Sequence, residues 1–189
     1  NPKAPAKPVM IYQTSDGLLI HGEVRDTSGQ SLTKEHLKQY FPGVASKDLR
    51  QASEAGFAIT EGTGLVVLDV FLDPQCRFCK KLWQDLRGEL DFVTVNWLPI
   101  AIFPGSLSQV SSLMQSRDPV LALEELARGG APAQEKPPTP FIVAGVRNNT
   151  QRMQQARLTQ TPSGFIKVNG QVRPFQGADV IQTIRRLRY

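Results

Sequence analysis

Both cysteines of the chain, Cys76 and Cys79, lie within Asp73-Pro74-Gln75-Cys76-Arg77-Phe78-Cys79-Lys80, with two residues between them. An apolar run from Leu65 to Leu72 leads into this segment, and Lys81, Leu82, Trp83 and Leu86 continue it with helical spacing. A Cys-x-x-Cys where a strand gives way to a helix is a redox signature. At the first turn of a helix the leading cysteine sits among unpaired backbone N–H groups, at the positive end of the macrodipole. Both favour thiolate over thiol, and the thiolate is the nucleophile. The motif therefore constrains the fold as well as the chemistry: a buried strand has to end where a helix begins.

The rest of the composition excludes several alternatives. No cysteine remains for a structural disulfide framework, and a closed zinc site takes four ligands. His21 and His36 are the only histidines and lie far upstream. A zinc ion would have to be shared between two chains, so no metal is expected, and no cofactor beyond a redox-active Cys76–Cys79 disulfide. The net charge of +5 raises the question of nucleic acid. The basic residues are scattered except for Arg185-Arg186-Leu187-Arg188, where a basic last helical turn suits the helix dipole, and no nucleic-acid motif accompanies them. No nucleic-acid partner is expected. No apolar stretch approaches the roughly 18 residues of a membrane span. Residues 1–8 lack the apolar centre of a signal peptide and read as a mature end left by processing or as an artificial boundary.

Taken in order, residues 1–30 hold a Pro- and Lys-rich tail and a small hairpin. Val9 to Tyr12 and Leu18 to Val24 read as its strands, with Ser15-Asp16-Gly17 as the turn. Residues 31–62 read as linker helices, from Ser31 to Phe41 and from about Ser46 to Ala55, closed by a loop at Glu61-Gly62-Thr63-Gly64. Leu65–Leu72 reads as a central strand buried on both faces. Asp69 interrupts it, either as a proton relay near the cysteines or as a strand acid with a local Lys or Arg partner. The following helix is expected from Cys76 to about Leu90, and Phe92–Leu98 as another strand. Two helices split at Arg117-Asp118-Pro119 and a third over about 148–158 form a helical insert at about 106–158. Phe165–Val168 and Gln171–Phe175 read as a hairpin about Asn169-Gly170, and Ala178–Leu187 as a final amphipathic helix. The catalytic domain, 63–189, thus reads as α/β, β–α–β then helices then β–β–α. That is the order of a thioredoxin-like fold with a helical insertion, preceded by a small hairpin and linker helix.

These pieces together resemble the DsbC/DsbG family of periplasmic thiol:disulfide interchange proteins. Phe71 to Lys80 looks like that family's active-site segment. Thr161-Pro162, followed by a strand and Asn169-Gly170, looks like its cis-proline loop and terminal hairpin, and Met10 to Gly29 is similar to the hairpin before its linker helix. The dipeptide Arg77-Phe78 departs from the more familiar Gly-Tyr or Pro-Tyr. Only the last hairpin of the family's N-terminal dimerisation domain is legible, so a homodimer and a monomer both stay open.

The resemblance implies a soluble periplasmic disulfide isomerase or reductase. Its partners would be unfolded or misoxidised exported proteins and a membrane redox protein that resets the pair. Cys76 would attack and Cys79 resolve. Pro162 would be cis and face the pair, with the Thr161 backbone pairing to extended substrate. Arg77 would favour the thiolate by its charge, or simply point to solvent, and Phe78 would flank the substrate with Trp83, unless Trp83 is core. Two alternatives stay open: a monomeric thiol oxidase that donates disulfides, and a non-enzymatic chaperone-like or secretion-assembly module whose Cys-x-x-Cys is a structural disulfide.

Overall fold

The computed structural model describes residues 11–14, 16–33, 56–130, 135–168 and 171–188. The linker helices expected over 34–55 and the Asn169-Gly170 turn lie outside them. The chain divides into two compact units, residues 1–46 and 47–189.

In the first unit β1 (Ile11–Gln13) and β2 (Leu19–His21) pair antiparallel. The turn between them is closed by Thr14, whose backbone N–H donates to Leu18 O at 2.9 Å. Tyr12 reaches from β1 to donate its hydroxyl to Thr33 Oγ1 at 3.0 Å.

The second unit is built on a five-stranded sheet in the order β3-β5-β4-β6-β7, from β3 (Ile59–Gly62), β4 (Val66–Leu72), β5 (Val93–Pro99), β6 (Ser163–Val168) and β7 (Gln171–Gln176). β4 and β5 run parallel and the other pairs antiparallel. The parallel pair requires a crossover, which α1 (Arg77–Asp85) provides. Between β5 and β6 lie α2 (Ser106–Met114), α3 (Pro119–Ala127) and α4 (Pro140–Gln155), and α5 (Val180–Arg188) ends the chain.

Strand alternation assigns the core. Leu68, Val70 and Leu72 of β4 join Val95 and Trp97 of β5 and Ile166 of β6 in the main buried cluster. Cys79, Leu82, Trp83 and Leu86, at helical spacing, bring α1 into it, with Leu123 and Leu126 of α3 and Val180, Ile181 and Ile184 of α5. The intervening residues Asp69 and Phe71 face the other way, where Phe71 meets Phe165 edge to face, centroids 6.1 Å apart. Gly164 is needed where β6 crosses β4, since a Cβ there would lie 1.8 Å from Asp69 O.

Several ends shift by a residue or two, and the second strand, expected to reach Val24, stops at His21; three further boundaries differ in kind from the sequence reading. The expected loop at Glu61-Gly62 is the end of β3, the sheet's edge strand beside β5. Its Glu61 is buried because Trp97 Nε1 donates to it at 2.7 Å and Arg87 grips its carboxylate with both Nη groups. The helix expected to reach Leu90 ends at Asp85. Beyond it the chain tightens to three-residue spacing, Arg87 N–H to Gln84 O and Glu89 N–H to Leu86 O, and Arg87 Nε occupies the carbonyl of Trp83 at 3.1 Å. The helix expected at 148–158 starts instead at Pro140. Thr139 caps it by accepting from Ile142 N–H, and proline at the first helical position needs no N–H partner.

Candidate functional site

Asp73 and Pro74 begin the turn that delivers the cysteines. Cys76 N–H donates to Asp73 O at 3.0 Å, and Gln75 N–H donates to Asp73 Oδ1 at 2.8 Å. An aspartate starting a turn with proline next suits both bonds. Cys76 is thereby set as the N-cap residue of α1, in extended conformation, with Cys79 one turn inside. Cys76 is 6% exposed and Cys79 fully buried, and both are free thiols.

The two sulfurs are driven apart in acidity. Cys76 is drawn down to about 5, chiefly by the hydrogen bond from the Cys79 thiol, and further by the Thr161 side chain and the Cys79 and Phe78 backbone, against an opposing push from burial. Cys79 is pushed up, first by that same bond to Cys76, then by burial and by the negative charge on Cys76. These shifts make Cys76 the readier nucleophile of the two and Cys79 the one that keeps its proton.

Thr161 comes to the pair from 85 residues away, with Cys76 Sγ at 3.4 Å from its carbonyl oxygen. The Thr161–Pro162 peptide bond is cis, and β6 starts directly after it. Arg77 is exposed, and its guanidinium lies 4.7 Å from the Phe78 ring centroid. Phe78 is 52% exposed, while Trp83 is core. The Cys76 thiol thus donates to the Thr161 carbonyl, and the Arg77 charge is directed at its neighbour's ring.

Asp69 lies on the sheet face opposite Cys79. Lys167 Nζ stands 2.8 Å from its Oδ2, and Asn96 Nδ2 donates to its Oδ1 at 2.8 Å. It is a strand acid with a local lysine partner. The basic C-terminal turn is likewise engaged internally, Arg185 with Glu89 and Arg188 with Glu89 and Asp91. Among the described residues, no cluster of His, Cys, Asp and Glu is arranged to hold a metal ion, and no helix is long and apolar enough to cross a membrane.

Sequence reasoning gave Asp73, Gln75 and Ser106 no role. Asp73 is fully buried, and its carboxylate accepts from Ser106 Oγ at 2.7 Å and from the Ile102 and Phe103 N–H groups at 2.6 and 3.3 Å, besides Gln75. The Asp-Pro dipeptide was a visible turn signal; nothing in the sequence linked it to residues 29 to 33 positions away.

No protein-family model matches the chain. In sequence it is 27% identical to the thiol:disulfide interchange protein DsbG of Pseudomonas aeruginosa over 179 residues, 89% of this chain and 70% of the relative. It is 27% identical to the DsbG of Escherichia coli over 128 residues, 65% of this chain and 52% of that protein. It is 31% identical to a probable DsbC of Bordetella parapertussis over 114 residues, 59% of this chain and 39% of that protein. The chain thus spans about half or less of the last two. In structure it is similar to a disulfide interchange protein from Neisseria gonorrhoeae, with a TM-score of 0.54 and 23% identity over 69% of this chain and 94% of that one. It is also similar to the thiol-disulfide exchange protein alpha-DsbA2 from Wolbachia pipientis, with a TM-score of 0.56 and 15% identity over 82% and 94%. These two establish the thioredoxin-like fold.

Proposed function

We propose that this chain, a relative of the DsbG and DsbC thiol:disulfide interchange proteins, is an enzyme of disulfide isomerisation and reduction that acts on exported proteins. The observation that carries the reading is the division of labour in the pair: Cys76, lowered to about 5 and set at a helix N-cap beside Thr161, against a buried Cys79 held as a thiol.

The Cys76 thiolate attacks one sulfur of a substrate disulfide. That bond breaks, a disulfide between Cys76 and substrate forms, and the other substrate sulfur leaves as a thiolate. In isomerisation a second substrate thiolate attacks the substrate sulfur of this mixed disulfide. A new substrate disulfide forms and Cys76 leaves as a thiolate, with no net transfer of electrons. In reduction Cys79 attacks the Cys76 sulfur, and its proton passes to the departing substrate sulfur. The substrate departs as a thiol, and two electrons have passed from the pair to it. The Cys76–Cys79 disulfide is then the only redox group the reaction needs, and a membrane redox partner restores the dithiol.

On this reading the chain works in the periplasm, where substrate disulfides persist. The Thr161 backbone receives extended substrate like an added strand, and Pro162, Arg77 and Phe78 border it.

A second reading, a thiol oxidase, is favoured by the same low pKa of Cys76, because stabilising the thiolate makes the pair more oxidising. The test is activity recovered from ribonuclease. The reduced chain is expected to reactivate scrambled ribonuclease, and Cys76→Ala to abolish this. Reactivation of reduced ribonuclease by the oxidised chain, without any effect on the scrambled form, would instead make it an oxidase. A chain inert in both assays is a binding module. Light scattering decides between monomer and homodimer.

A further inference from the structure

Exchange chemistry uses the two sulfurs and Thr161, yet the most completely satisfied buried charge near them is Asp73, which that chemistry does not use. Its four donors come from two places. Gln75 N–H belongs to the turn presenting Cys76; Ile102 N–H, Phe103 N–H and Ser106 Oγ belong to the loop after β5 and the first residue of α2. Gln75 adds a second tie to the same loop, its Nε2 donating to Pro104 O at 2.6 Å and to Ser106 Oγ at 3.1 Å. A buried carboxylate left without its donors is costly, so this set of bonds fixes the loop against the residue preceding Cys76.

The loop so fixed holds two large apolar side chains in solvent, Ile102 at 53% and Phe103 at 46% exposed. Phe78, two residues past Cys76, is exposed to the same degree. Backbone hydrogen bonding explains the loop's path, but nothing in folding requires apolar residues at its tip.

We infer that Asp73 is a positioning residue, clamping loop 102–106 beside Cys76 so that Ile102 and Phe103 form a wall for the apolar segment of unfolded polypeptide that flanks a substrate cysteine. The inference rests on the exchange function proposed above. The occupant follows from the chemistry: whatever contacts this wall is tethered to Cys76 through a mixed disulfide, and an incompletely folded chain exposes apolar residues next to its cysteines.

Asp73→Asn is selective. Asn Oδ1 can still accept from Gln75 N–H and Ser106 Oγ, and Gln75 Nε2 still holds Pro104 and Ser106, but the Asn NH2 group meets the Ile102 and Phe103 N–H groups donor to donor, so the turn and the start of α2 are kept and only residues 102 and 103 are released. The test compares kcat/KM for reduction of a peptide disulfide with leucine or phenylalanine beside its cysteine against that for a small aromatic disulfide. Asp73→Asn is expected to lower the peptide value about 10-fold, mainly through KM, and at least five times more than the small-disulfide value. Phe103→Ser, at an exposed position where folding is not at stake, is expected to show the same peptide-selective loss. Equal losses on both substrates, or no loss in either variant, overturn the inference while leaving the exchange function standing. If the unaltered chain reduces neither disulfide, both fall.

Discussion

At the scale of single residues, Cys76 carries a sign-definite pH dependence. Its pKa is lowered from that of a free thiol to about 5, so alkylation of the reduced chain at Cys76 is expected to level off above about pH 6. A rate that still climbs through pH 8 contradicts this. Stability follows the same linkage. A folded value below the unfolded one, about 8.5, stabilises the reduced chain fully above that unfolded value, and the gain is lost as pH falls through about 5. The raised pKa of Cys79 acts oppositely, and only above about pH 8.5. The Tm of the reduced chain should therefore rise between pH 5 and 8, and the rise should shrink in Cys76→Ser. Asp69 belongs to the same scale with a negative expectation. It faces Lys167 and Asn96 across the sheet from Cys79, so Asp69→Asn should leave the pH–rate profile of exchange superimposable on that of the unaltered chain. A shifted limb would restore it as a relay.

At the scale of elements, what periodicity could show was legible and what long-range pairing decides was not. The apolar run of β4, the split of α2 from α3 at Asp118-Pro119 and the amphipathic α5 all follow from spacing and turn chemistry. β3 was hidden because its four residues include a glycine and a glutamate that only Trp97 and Arg87, distant in sequence, make acceptable inside a sheet. The start of α4 was hidden because a proline-rich stretch reads as loop until Thr139 is seen to cap it. The Glu61–Arg87 pair is mostly buried, and the Arg87 guanidinium also covers the Trp83 ring at 3.7 Å. Arg87→Ala, by stranding Glu61 in the core, should destabilise the chain by about 3 kcal/mol in urea titration. A change within measurement error would mean that Glu61 finds water instead.

At the scale of the whole molecule, the sheet brings together two segments far apart in sequence. β4 ends at the turn that sets Cys76, and β6 begins directly after Thr161-Pro162, so pairing of neighbouring strands β4 and β6 delivers the second half of the site to the first. The cysteine pair and Thr161-Pro162 were legible from the sequence, through motif and resemblance. The Asp73 clamp and the loop it holds were not, since their partners meet only through the fold. With a thiolate so stabilised, the pair should be more oxidising than thioredoxin, with a reduction potential above about −270 mV. Equilibration with glutathione, followed through the fluorescence of Trp83 and Trp97, which lie in the same buried cluster as Cys79, measures it. The central claim is that Cys76 exchanges disulfides and Cys79 resolves the product. Cys79→Ala mixed with a disulfide-bonded protein substrate tests it most directly, with the products separated on a non-reducing gel. The account predicts a covalent complex linked through Cys76, released by dithiothreitol and absent when Cys76 is also replaced. No complex, or one that survives loss of Cys76, would contradict it.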